Sequence, residues 1–179
     1  MISDEALMLD FQRGSREAFE ELFARYRNPL CGFFRRRLGI AERADDLTQE
    51  TFLAVIRATS RYEPRALVRT YLYAIALKLL AAERRRQSKD AGADAGADAA
   101  AQPAVSESAD AALWVRQALE RLDPAEREIL MLREFEQFSY QEIAELLRLP
   151  VNTVRSRLFR SRMALKGYLE PAGKEASNA

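Results

Sequence analysis

Residues 149–165 read LPVNTVRSRLFRSRMAL, with four arginines and no acidic residue. Such a set binds rather than transforms. Guanidinium forks match phosphates and guanine edges, and short polar side chains reach the remaining base edges. At helical spacing, Val151, Val154, Leu158, Ser161 and Leu165 form one stripe suited to a core. Asn152, Thr153, Ser156, Phe159, Arg160 and Met163 fall on the opposite side, with Arg155, Arg157 and Arg162 on the flanks. Phe159 and Met163 thus lie off the core stripe. A helix entering the major groove needs this layout: polar groups for bases, arginines for phosphates, and apolar surface for thymine methyls.

Other chemistries are poorly served. The 179 residues contain no histidine and one cysteine, Cys31. Metal sites built on His or Cys clusters, His-based triads and an intrachain disulfide are excluded, and the single thiol fits a reducing compartment. The acidic pairs Glu20-Glu21 and Asp45-Asp46 read as helix-surface charges, without a nucleophile–base pair or a phosphate loop. The expectation is a binding protein, not an enzyme, with no cofactor. No apolar run approaches membrane-spanning length, and the beginning MISDEALMLDFQRG is acidic where a secretion signal is basic. A cytoplasmic protein without membrane insertion is expected.

Net charge is only +1, so bulk attraction does not mark a nucleic-acid binder. The distribution does. Basic clusters occur at Arg35, Arg36 and Arg37, at Arg84, Arg85 and Arg86, and across 148–166. Acidic residues concentrate around Asp45-Asp46 and across 123–142.

The elements that must position these residues are helical. Apolar residues recur at helical spacing in LMLDF, AFEELFARY, DDLTQETFLAVI and YLYAIALKLLAAERRR, and no convincing alternating strand is present. Gly14 and Gly39 punctuate the first half, and Pro64 separates two helices. In the second half Asp123-Pro124-Ala125-Glu126 reads as N-cap, first-turn proline and a glutamate folding back. Ser139-Tyr140-Gln141-Glu142 reads as a capping box. A short break at Arg148-Leu149-Pro150 then makes a helix-turn-helix, with Ala144 at the close crossing. Between the halves, QSKDAGADAGADAAAQPAVSES has Val105 as its only large apolar residue. Such a segment buries too little to offset its ordering entropy and reads as a flexible linker. The expected fold is all-α: a helical domain over 1–87, a linker over 88–108, a helix-turn-helix domain over 109–170 and a tail over 171–179.

In DDLTQETFLAVIR, Ala44, Leu47, Thr48, Thr51, Val55 and Thr59 share one side, with Phe52 at its edge. Asp46, Gln49, Glu50, Leu53 and Arg57 share the other. A leucine amid acids and amides suits a protein contact, where an apolar anchor has polar neighbours.

SYQEIAELLRLPVNTVRSRLFRSRMAL resembles the C-terminal DNA-binding domain of bacterial sigma factors of the extracytoplasmic-function (ECF) group. DDLTQETFLAVIRA and RTYLYAIALKLLAAERRR resemble two helices of that family's first domain, in the same order. The resemblance implies a dissociable subunit of bacterial RNA polymerase that directs transcription initiation. It implies that Asp46, Gln49, Glu50 and Leu53 face the polymerase. It implies that Tyr62, Arg65, Arg69, Tyr71 and Lys78 serve the melted −10 element, where unstacked bases meet aromatic and basic groups. It implies that Asn152, Thr153, Arg155, Ser156, Phe159 and Arg160 read the −35 duplex, with Arg160 the best candidate for guanine. An anti-sigma factor, often at the membrane, is a further implied partner, and a stress or envelope signal the implied trigger.

The chain departs from the pattern in places. Tyr71 stands for a usual Trp, and Ala74 for a common basic residue. Lys78 stands for an Asn; an amine donates but cannot accept, so it loses the bidentate pairing with adenine. Arg148 and Asn152 stand for glycines, and Asn tolerates positive φ if its position requires it. The alternative reading is a stand-alone dimeric helix-turn-helix regulator on a palindrome, which leaves the Leu53 face unexplained.

Overall fold

The computed structural model describes residues 2–64, 67–91 and 107–170. It divides into two compact units, Met1–Ala99 and Ala100–Ala179. The described residues are helical, with no strand among them.

The first unit holds α1 (Asp4–Gln12), α2 (Arg16–Leu38), α3 (Ala41–Ala58), a single 3₁₀ turn (Thr59–Arg61) and α4 (Val68–Ala91). Ser3 and Ser15 cap α1 and α2 by accepting from the N–H groups of Ala6 and Ala18. Gly39 closes α2 at φ 71°, a left-handed conformation that glycine adopts without a Cβ penalty. The helical spacing of 18–26 extends to Leu38 through Pro29. Leu22, Tyr26, Leu30, Phe33 and Phe34 are buried on both sides of the proline, so packing holds the helix across the missing hydrogen bond.

Ala44, Leu47, Thr48, Thr51, Phe52 and Val55 of α3 are buried, as the spacing predicts. The threonines stay satisfied in the core: Thr48 and Thr51, with Thr59 beyond, each donate to the carbonyl four residues back at 2.7 Å. Phe11 on Phe19 and Phe23 on Phe52 pack with centroids 4.8 and 4.7 Å apart, and Phe33 meets Tyr73 edge to face at 5.3 Å.

The second unit holds α5 (Glu107–Glu120), α6 (Pro124–Glu134), α7 (Tyr140–Leu147) and α8 (Val151–Leu169). Asp123 caps α6 by accepting from Ala125 and Glu126 N–H at 2.9 and 3.3 Å. Glu126, expected to fold back on this cap, instead meets Arg160. The capping box of α7 forms in full, Glu142 N–H to Ser139 and Ser139 N–H to Glu142. Ile129, Leu132, Phe138, Ile143, Val154 and Leu158 build the core.

Helix α4 continues to Ala91 and α5 begins at Glu107, so both enter the segment read as a linker. The rest of that segment, 92–106, and the tail lie outside the described residues.

Candidate nucleic-acid interface

Arg148 ends α7 at φ 53°, and Leu149 N–H returns to the Ala144 carbonyl at 2.9 Å. This turn aims α8. The left-handed position is Arg148; Asn152 lies within the helix and needs no positive φ. Pro150 starts α8 without a side-chain cap.

The two sides of α8 separate as the wheel predicts. Val154, Leu158 and Ser161 are at most 1% exposed, and the Ser161 hydroxyl is satisfied by the Arg157 carbonyl at 2.9 Å. Val151 and Leu165, at the ends of the stripe, are only partly covered. Phe159 and Met163 are 67% and 52% exposed. Asn152, Arg155, Ser156 and Arg160 are exposed with them, and Thr153 is partly so. Asn152 Oδ1 accepts from Arg155 at 3.4 Å.

Two arginines face carboxylates of α6, one of them hydrogen-bonded. Arg162 donates through Nε and Nη2 to Glu134 at 3.1 and 2.6 Å, which fixes it to the scaffold and raises its pKa further. A flank arginine expected at phosphates is thus engaged inside the unit. Arg160 Nε lies 3.3 Å from a Glu126 carboxylate oxygen.

In the first unit Asp46, Gln49 and Leu53 are exposed and Glu50 partly so. Leu53 is 47% exposed, and Ile56, missed by the sequence reading, is 45% exposed. Gln49, Leu53 and Ile56 follow i, i+4, i+7 spacing, the signal that could have found it. Behind this stripe Arg43 reaches Asp46 at 3.4 Å, Glu50 at 3.5 Å and Glu83 of α4 at 2.8 Å. Glu83 is 5% exposed; the hydrogen bond from Arg43 holds its pKa below the ordinary carboxylate value.

Beside Gln49, a polar cleft of about 380 Å³ is lined by Arg27, Asn28, Cys31, Arg35, Asp45 and others. Cys31 donates to Asp45 at 3.0 Å; burial first, then this bond, raise the thiol pKa. The thiol is therefore held protonated and is a poor nucleophile.

The residues expected at melted DNA are less uniform. Tyr62 is 5% exposed, its ring against Tyr71 at 5.3 Å and its carbonyl accepting from Gln12 at 3.1 Å. It packs on Tyr71, and its own ring is covered in the fold. Tyr71 is partly exposed and Lys78 exposed. They share a face of α4 with exposed Arg85, seven residues further on, which the sequence reading gave only as nearby basic charge. Arg69 lies 6.0 Å from the Tyr73 ring centroid, and Tyr73 is core. Arg65 lies outside the described residues.

The family described as Sigma-70 region 2 matches residues 22–90, and that described as Sigma-70, region 4 matches 112–165. The RNA polymerase sigma-H factor of Pseudomonas aeruginosa is 34% identical over 97% of each chain. The ECF RNA polymerase sigma-E factor of Escherichia coli K12 is 30% identical over 95% of this chain and 96% of that one. The chain belongs to the ECF sigma factors. The fold agrees: the structure of CnrH in complex with the cytosolic domain of CnrY superposes with TM-score 0.71 at 27% identity, covering 93% of this sigma factor and 96% of that chain. A stand-alone dimeric regulator would not account for the region 2 match. No helix among the described residues of the sigma factor is long and apolar enough to cross a membrane.

Proposed function

We propose that this sigma factor reads the −35 element as duplex through α8, holds melted −10 DNA along Tyr71, Lys78 and Arg85, and docks on polymerase through α3. The observation that carries the reading is the exposed face of α8. Two large apolar side chains stand outward there among Asn152, Ser156 and Arg160, on a helix whose other side is core. Solvent alone would not favour Phe159 at that position; a thymine methyl would. Arg160 is the guanine reader in this arrangement, and Arg155 a phosphate contact. The outward α3 stripe adds an apolar anchor, Leu53 with Ile56, to Asp46, Gln49 and Glu50.

CnrH was solved with a cytosolic protein domain bound. We infer that a comparable anti-sigma partner restrains this chain in the cytoplasm until a stress or envelope signal releases it. The domain reading is a polymerase- and −10-binding part over 1–87 and a −35-binding part over 109–170, joined by a flexible 88–108. Transcription of a genomic library by purified core polymerase with and without the sigma factor tests the function. New start sites preceded by a shared pair of elements support it. No transcript above core polymerase alone overturns it.

A further inference from the structure

We propose that Glu126 is a specificity-determining residue of the −35 contact: it positions Arg160 so that the guanidinium meets a base edge instead of wandering to phosphates. The proposal rests on the reading of Arg160 as a base contact.

An arginine on a DNA-facing helix has two nearby kinds of acceptor. Phosphate oxygens are charged, numerous and the same at every sequence; guanine O6 and N7 are not. A mobile side chain with about 2 kcal/mol of rotamer entropy samples both. Discrimination therefore improves when something other than DNA fixes the guanidinium.

Glu126 is placed for this. It lies in the first turn of α6, and its side chain is only 21% exposed. The helix start does not require its carboxylate, since Asp123 already accepts from two N–H groups there. The carboxylate meets Arg160 at Nε, 3.3 Å away, while the Arg160 side chain stays 64% exposed. A guanidinium drawn to a carboxylate at its Nε end by charge keeps its Nη groups for a bidentate base pairing. Glu134 shows the other outcome. It takes both Nε and Nη2 of Arg162, including one contact at 2.6 Å, and so consumes the edge a base would need. The two pairs join the same two helices, yet one spends its arginine on the scaffold and the other leaves it presented.

The charge of Glu126 acts in the same direction. A carboxylate beside the reading edge is unfavourable next to any phosphate, so it weakens sequence-independent binding. It costs less at a guanine edge, which carries no charge.

The test uses the full chain in holoenzyme, on two promoter fragments that differ only in the −35 element. One carries the sequence recovered by the wild type from a randomised library, the other the same bases scrambled. Affinities are measured over a salt series. Glu126→Gln should lose roughly tenfold in discrimination, with scrambled DNA bound as well or better and a salt slope steeper by about one phosphate equivalent. Glu126→Asp keeps the charge at the helix start but is one methylene too short, and should lose discrimination without the steeper slope. In an Arg160→Ala background, neither Glu126 substitution should change discrimination further.

Wild-type discrimination in Glu126→Gln, with Arg160→Ala losing the specific promoter selectively, overturns the proposal alone. So does an effect of Glu126→Gln that persists without Arg160, which would show a structural route. Equal loss on both fragments in Arg160→Ala overturns the base-contact reading, and the proposal with it.

Discussion

Two single residues, Arg148 and Glu83, carry consequences that can be measured. Arg148 adopts φ 53° where the pattern has glycine. A left-handed L-residue costs roughly 1–2 kcal/mol relative to glycine. Arg148→Gly should therefore stabilise the second unit by about 1 kcal/mol, with part of the gain offset by the freer unfolded glycine. Denaturant unfolding followed through that unit would check it, and a destabilised variant would mean that the arginine side chain contributes more than its backbone costs. Glu83 is the second case. Its pKa is depressed by Arg43, so the pair's stabilisation is present above the ordinary glutamate value near 4.5 and is lost as pH falls through the depressed value. Arg43 keeps Asp46 and Glu50 as partners when Glu83 is neutralised, so the loss is that of one charged hydrogen bond, roughly 1.5–3 kcal/mol. Glu83→Gln should unfold more easily at pH 7 and show a flatter stability profile than the wild type as pH falls below the ordinary glutamate value. A parallel profile would show that other carboxylates dominate acid unfolding.

At the scale of elements, α3 combines a core side with the outward side proposed to dock on polymerase. Ile56 and Leu53 are both nearly half exposed and one turn apart. Replacing either by Asp should weaken polymerase binding at least tenfold in a pull-down with core enzyme, while far-UV circular dichroism and melting temperature stay near wild type. Loss of the fold would place them in the core, and unchanged binding would move the docking surface elsewhere. Single-helix patterns were legible in the sequence because each depends on one period: the α3 core side, the α8 core stripe and the α7 capping box follow from spacing alone. What stayed hidden depends on which helices meet. Arg43 with Glu83, Arg160 with Glu126 and Arg162 with Glu134 are each set by packing between elements far apart in sequence. The covering of Tyr62 was hidden for the same reason. A polar-aromatic loop segment looks open in sequence, and only the fold shows its ring against Tyr71 and its carbonyl held by Gln12. The length of α2 was also hidden, since Pro29 locally argues for a break that the buried residues on either side override.

At the scale of the molecule, each unit closes a core from its own helices. Leu30, Phe33 and Phe34 are fully buried in the first, and Ile129, Leu132 and Leu158 in the second. The proposed split between polymerase docking and −35 reading requires that a substitution in one unit leave the other competent. The chain supplies its own probe: Trp114, its single tryptophan, lies on α5 of the second unit and is half exposed. Leu158→Ala should cost about 2–5 kcal/mol by the lost burial and the cavity left behind. In a unit of this size that lowers the midpoint by roughly 10 °C or more. Tryptophan fluorescence should report that shift in full, while the far-UV signal keeps a transition at the wild-type temperature from the first unit. Leu30→Ala should do the reverse, moving the helical signal and leaving the fluorescence transition in place. If both probes moved together in either variant, the two cores would unfold as one cooperative body, and the proposed separation of −35 reading from polymerase docking would lose its physical basis.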